Sequence, residues 1–208
     1  MNVRKLIVIL FGFLCYFSIS LWADVILVIK FPAAEVGGRG PYPYNYRIID
    51  NHIHAGGHPM NPTNNFGNTD EQTESILKYL ISKDVKTVID LENTRSIQKR
   101  YQLLLDKQGI KRIHIPMHYI KTPNKAEWQQ IMTAFEQPVY IHCKWGADRT
   151  GAIIGRYLVE VKGYTSAEAY RAVISNGSHA GVIGGLKTSP YYRQLKQFIY
   201  EEPRKGNL

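Results

Sequence analysis

The stretch Val139-Tyr140-Ile141-His142-Cys143-Lys144-Trp145-Gly146-Ala147-Asp148-Arg149-Thr150-Gly151 constrains this chain more than any other. Residues 138–142 are apolar and β-branched and begin at Pro138, which predicts a short buried strand. From about Thr150, the residues Ala152, Ile153, Ile154, Tyr157, Leu158 and Val161 recur with helical spacing. A tight loop joins the two, beginning at Cys143 and ending at Arg149. In such a loop successive N–H groups can turn inward as an anion nest, with a helix N-terminus behind them. Gly146 lets backbone approach a ligand closely. Arg149 offers a planar fork that matches two phosphate oxygens. Cys143 lies at the base of this positive field, which favours thiolate over thiol. A thiolate facing a bound phosphate is a nucleophile in line with phosphorus. The plainer alternative is a buried cysteine in an ordinary strand–turn–helix.

At these residues the chain resembles the cysteine-dependent protein tyrosine and dual-specificity phosphatase superfamily. The signature of that superfamily is His-Cys, five residues, then Arg-Thr-Gly, and His142-Cys143, residues 144–148 and Arg149-Thr150-Gly151 match it throughout. The resemblance implies that Cys143 attacks phosphorus and that Arg149 binds the phosphate and its transition state. It implies that Thr150 assists turnover of the thiolate or intermediate and that His142 orients the loop. Lys144, Trp145, Gly146, Ala147, Asp148 and Arg149 would bind the substrate phosphate. No cofactor and no metal are implied. The resemblance covers about residues 47–200. It implies an α/β fold with a central sheet of four to five mostly parallel strands flanked by helices.

Composition narrows the partners. The chain has 208 residues, enough for one domain and a leader, and a net charge of +9. Such a surface favours anions: phosphorylated substrates or acidic lipid headgroups. No basic run or recognition-helix pattern argues for nucleic acid. The two cysteines are Cys15 and Cys143, so the domain has no internal disulfide framework and cannot build a zinc site from thiolates.

In chain order, Arg4 and Lys5 precede seventeen uncharged residues, 6–22. Asp24 and a second apolar run, 25–29, follow. Residues 1–30 therefore read as a secretory signal or an uncleaved anchor, with the catalytic domain outside the cytoplasm, in a bacterial periplasm. Residues 31–46, rich in Gly, Pro and Tyr, read as a linker or an irregular segment packing on the domain edge. The domain proper is expected over 47–208. Residues 47–50 and 52–59 read as a strand pair ending in a turn. Asp50-x-His52-x-His54 invites a metal reading, but His114, His118, His142 and His179 show no matching ligand pattern. Thr69 with Gln72 predicts a capping box for a helix carrying Ile76, Leu77, Leu80 and Ile81. A strand over 87–91, a helix over 95–108 and a strand over 112–117 follow. Thr122 and Pro123 are expected to cap and start a helix with Trp128, Ile131, Met132 and Phe135 on one face. Thr165 with Glu168 caps the next helix, and 189–200 supplies the last. This alternation is that of an α/β domain ending in helices.

A leaving alkoxide needs a proton, and relatives take it from an Asp on the loop between the 112–117 strand and the next helix. Here that loop, 117–124, holds no Asp or Glu. Three candidates stand in: Asp148 inside the phosphate loop, His118 where the usual Asp would be, and Glu92 after the 87–91 strand. Lys144 at the rim resembles phosphoinositide and inositol-phosphate phosphatases, while Trp145 could stack on an aromatic ring. The sequence thus supports a tyrosine or dual-specificity phosphatase, with a phosphoinositide or inositol-phosphate phosphatase as alternative. A non-catalytic, membrane-tethered phosphate-binding module is the reading from another class.

Overall fold

The computed structural model describes residues 29–30 (backbone), 40–175 and 185–201. Residues 1–28 of the expected 1–30 leader, the first part of the expected linker, His179 and the tail after 201 lie outside the described residues. No helix among the described residues is long and apolar enough to cross a membrane.

Six strands form one sheet: β1 (Ile29–Lys30), β2 (Arg47–Ile49), β3 (Ile53–Gly56), β4 (Thr87–Asp90), β5 (Lys111–His114) and β6 (Val139–His142), in the order β1-β2-β3-β6-β4-β5. The pairs β3–β6, β6–β4 and β4–β5 are parallel, while β1–β2 and β2–β3 are antiparallel. The mostly parallel five-strand sheet is therefore present. The sixth strand is the two-residue edge at Ile29–Lys30, from the end of the stretch read as an anchor.

Side chains alternate across the pleat, which splits the core in two. Ile53 and Ala55, Ile89, Val139 and Ile141 face α3 (Lys125–Ala134), α4 (Asp148–Glu160), α5 (Ser166–Ser175) and α6 (Arg193–Tyr200). Val88 and Tyr140 face α1 (Asp70–Ile81) and α2 (Gln98–Lys107). Because β6 is flanked by β3 and β4, Val139 and Ile141 are fully buried, and all four β6 residues are inside.

Most predicted elements match. Thr69 and Gln72 bond reciprocally as a capping box, and Ile76, Leu77 and Leu80 are buried, while Ile81 is exposed. Thr165 and Glu168 cap α5 in the same way. One start differs. Asn124, not Thr122, caps α3: its Oδ1 accepts from Glu127 N–H at 2.9 Å, and Glu127 accepts from Asn124 N–H at 2.8 Å. Pro123, which has no N–H to bring into a helix, packs inside just before that cap. Helix α4 also begins earlier, at Asp148, which brings Asp148, Arg149 and Thr150 into its first turn.

Candidate active site

The phosphate-loop sequence lies at the C-terminal end of β6, a central strand, where ligands of open α/β sheets bind. Cys143 is 2 % exposed, with its thiol free. Every carbonyl from 143 to 147 is claimed by a donor. His142 Nδ1 lies 3.3 Å from Cys143 O, and His58 N–H donates to Lys144 O at 2.9 Å. Asn45 Nδ2 reaches Trp145 O at 3.4 Å and Gly146 O at 3.3 Å, and Gly151 N–H donates to Ala147 O at 2.6 Å. In a trans peptide the N–H points opposite its carbonyl. The N–H groups of 144–148 are thereby turned to the other side, the arrangement of an anion nest. Gly146 has φ +69°, and a Cβ there would sit 2.1 Å from the Gly56 carbonyl carbon. Only glycine lets the loop lie against β3.

Arg149 is positioned before any phosphate is present. Its Nη2 donates to Glu92 Oε2 at 2.9 Å, and its Nη1 to the carbonyls of Leu91 and Met117 at 3.2 and 3.3 Å. Burial opposes its charge, yet Cys143 and Glu92 beside it hold its pKa above the ordinary arginine value. Glu92 itself is saturated: its Oε1 accepts from the N–H groups of Asn93 and Thr94 and from the Thr94 hydroxyl. An acceptor so fully engaged does not fit the proton-donor role considered for it. It is the anchor of Arg149.

Beneath the loop is a buried polar column. Burial pushes the His142 pKa down against the pull of Asp90, so the ring is neutral at neutral pH. Its Nδ1 faces the carbonyl of Cys143 and, at 3.7 Å, Asp90 Oδ1; these acceptors place the proton on Nδ1. Nε2 then accepts from the Tyr101 hydroxyl at 3.0 Å. Asp90 accepts from Arg112 Nε at 3.1 Å and from Glu92 N–H at 2.7 Å. His58, Asp90 and His142 offer ligand atoms within 4.8 Å of one another. However, His58 Nδ1 accepts the Met60 N–H at 3.1 Å, which leaves the proton on Nε2. Asp90 and His142 thus belong to the hydrogen-bonded support of the loop, while His58 packs edge-on against the His142 ring at 4.7 Å and its buried Nε2 has no partner among the described residues. The Asp50-x-His52-x-His54 triplet is likewise dispersed. Asp50 takes Tyr157 and Lys162, His52 lies between the carbonyls of Asp50 and Phe135, and His54 meets the Tyr46 hydroxyl.

The remaining predicted residues surround the loop. The Thr150 hydroxyl, in the first turn of α4, is buried and without a partner among the described residues. Lys144 extends over the Phe66 ring (5.0 Å) and the Trp145 ring (5.9 Å), and Trp145 packs edge-on against Tyr44. Asp148 is 8 % exposed, and its Oδ1 accepts from Leu186 N–H at 2.6 Å. His118 follows the Met117 carbonyl that Arg149 touches, in a tight 118–121 turn, and its Nδ1 is buried without a partner among the described residues. Asn45, His58, Tyr101 and Arg112 were not singled out from the sequence. Asn45 fell in the stretch read as linker or edge packing, yet it binds residues one hundred positions away. No local pattern reports such a contact.

A model of the family described as DSP-PTPase phosphatase fused to NAD+ kinase matches residues 53–189. The tyrosine-protein phosphatase CDC14 of Candida albicans is 28% identical over 123 residues, which are 55% of this chain and 22% of that protein. The chain therefore spans about a fifth of that relative's length. Among solved structures, the complex of P. aeruginosa TpbA with pTyr has a TM-score of 0.53 at 17% identity, over 85% of this chain and 90% of that one. PTPMT1 gives 0.53 at 22% identity, over 74% and 93%. The core catalytic domain of the PP-IP phosphatase SIW14 from S. cerevisiae gives 0.52 at 18% identity, over 76% and 85%. These likenesses show the fold. The family model spans more than half of the chain, and the chain belongs to this family of cysteine-dependent dual-specificity and tyrosine phosphatases.

Proposed function

We propose that the chain hydrolyses phosphomonoesters through a cysteinyl-phosphate intermediate at Cys143. The observation that carries this is the loop itself: five carbonyls held from outside, a buried thiol at its base and Arg149 preset by Glu92. The Cys143 sulfur attacks phosphorus as the bond to the leaving oxygen breaks. The loop N–H groups and Arg149 take the charge that develops on the phosphoryl oxygens. Water then attacks the phosphocysteine, and the thiolate leaves. The orphan Thr150 hydroxyl supports a role as hydrogen-bond donor to that departing sulfur.

For the proton, Asp148 is the first candidate. Leu186 N–H donates to Oδ1, so the proton to be delivered belongs on Oδ2. His118 is the second, because its buried Nδ1 has no partner and it neighbours the Arg149 contact.

The substrate we propose is a phosphotyrosine-bearing or dual-specificity phosphoprotein. TpbA was solved with pTyr, and Trp145 and Tyr44 form an aromatic wall beside the loop. Lys144 at the rim supports phosphoinositide or inositol phosphate as the second reading, and SIW14, of like fold, is named a PP-IP phosphatase. The apolar run after Arg4 and Lys5 we propose as a signal or membrane anchor placing the domain outside the cytoplasm; Ile29 and Lys30, expected in it, pair instead with β2 in the sheet.

The reading is tested by p-nitrophenyl phosphate hydrolysis with EDTA present. The parent chain should turn over, and Cys143→Ser should lose activity by at least about a thousandfold, because serine is a poor nucleophile at its free pKa. Activity in Cys143→Ser within tenfold of the parent would refute it.

A further inference from the structure

A second arginine serves this site from behind. Arg47 of β2 is 0% exposed. It pairs with Ala55 of β3, and Ala55 pairs with Ile141 of β6. Paired residues share a face of the sheet, and Ala55, Ile141 and Cys143 lie in one core cluster. The row Arg47–Ala55–Ile141 therefore leads toward the nucleophile, and the small Ala55 leaves space above it.

The guanidinium bends back toward the loop end of the sheet. Its Nη1 donates to Asn45 O at 3.0 Å, and the Asn45 side chain is the one that holds the Trp145 and Gly146 carbonyls. Nε and Nη2 are buried with no partner among the described residues. No ion pair among the described residues includes Arg47. A buried cation without a carboxylate is costly to folding. Burial lowers its pKa to about 10, and Cys143, then Tyr140, are the groups that oppose that fall. It is still charged at neutral pH.

We propose that Arg47 is a positioning residue for the nucleophile: a buried cation behind the phosphate loop that holds Cys143 as thiolate. The inference rests on Cys143 being the nucleophile. Two guanidinium groups then act on Cys143, Arg47 from β2 and Arg149 from α4. Tyr140 of β6 and Tyr192 just before α6 also act on Cys143, and His142 precedes it in the chain; the nearby carboxylates face others, Glu92 facing Arg149 and Asp148 facing Tyr192. Of the two guanidinium groups only Arg47 has no carboxylate of its own to answer.

The test is the rate at which iodoacetamide alkylates Cys143 in the full chain. It is followed by mass spectrometry on the Cys143 peptide, because Cys15 is the second thiol. Alkylation needs no turnover, so its outcome is separate from that of the Cys143→Ser assay. Arg47→Met and Arg47→Gln remove the charge, and Arg47→Lys keeps it. A neutral variant should alkylate about tenfold more slowly at about pH 6 and within about twofold of the parent at about pH 9, where the thiolate forms unaided. Arg47→Lys should retain more of the low-pH rate than either neutral variant. Arg47→Met should melt no lower than the parent, since it removes an uncompensated buried charge. A parental rate at the lower pH, or an equal slowing at both, would overturn the proposal. Failure of both neutral variants to fold would also overturn it, by making Arg47 structural.

Discussion

Arg149 illustrates how single residues are made ready. A free guanidinium would sample many rotamers, but here two carbonyls and a saturated carboxylate fix its plane before an anion arrives. Its neighbour Asp148 is the sharper test of chemistry. Asp148→Asn keeps the shape and removes the proton. With an alkyl or phosphotyrosine substrate, kcat should fall about 10²–10⁴-fold, and much less with an activated aryl phosphate whose leaving group departs as an anion. An equal loss on both would mean that Asp148 serves to hold the Leu186 turn, and the same substrate comparison on His118→Gln would then be decisive. The Cys143–Arg149 spacing was legible because the loop chemistry is local. The role of Glu92 was not: a carboxylate after a strand reads equally as acid or anchor, and only its four occupied contacts decide. Asn45 and Arg47 were silent, since their partners are brought to them by β2–β3 pairing and the crossover to β6.

At the scale of elements, the sequence was most legible where signals are local and periodic. The capping boxes at Thr69 and Thr165 and the continuous apolar run of β6 are of that kind. The start of α3 was missed because Thr122-Pro123 carries a start signal of its own, two residues before Asn124, whose reciprocal bonds with Glu127 set the cap. The sixth strand was missed because two residues beside a longer apolar run carry no strand signal of their own. The turn between β2 and β3 is tied to α4 through Asp50, which accepts from the Tyr157 hydroxyl and from Lys162 at 3.0 Å. Partial burial would raise the Asp50 pKa, but these two donors hold it below the ordinary carboxylate value. A depressed carboxyl pKa contributes stability above the unfolded value and loses it as pH falls through the folded one. Asp50→Asn should therefore destabilise at neutral pH by less than about 1 kcal/mol, a figure set by the pair's exposure. In thermal melts that gap should close as pH drops below about 4. A gap that persists unchanged into acid would assign the loss to packing rather than charge.

Across the whole molecule, the topology collects the site. Strand β6 follows β4 and β5 in the chain yet lies between β3 and β4 in the sheet. The loops after β3, β4, β5 and β6 thus converge at one edge, delivering His58, Glu92, the Met117 carbonyl and Cys143 respectively. Two cores, one on each face, support that edge from below. The net charge of +9 suits the anionic substrates proposed. The central claim is that phosphoryl transfer passes through the Cys143 sulfur. The most direct measurement is to quench the full chain in acid during turnover of p-nitrophenyl phosphate and map the peptide masses. The mechanism predicts one phosphoryl group on the peptide containing Cys143 and none in Cys143→Ser. Steady turnover with that peptide never modified, or with the phosphoryl group on another residue, would contradict it.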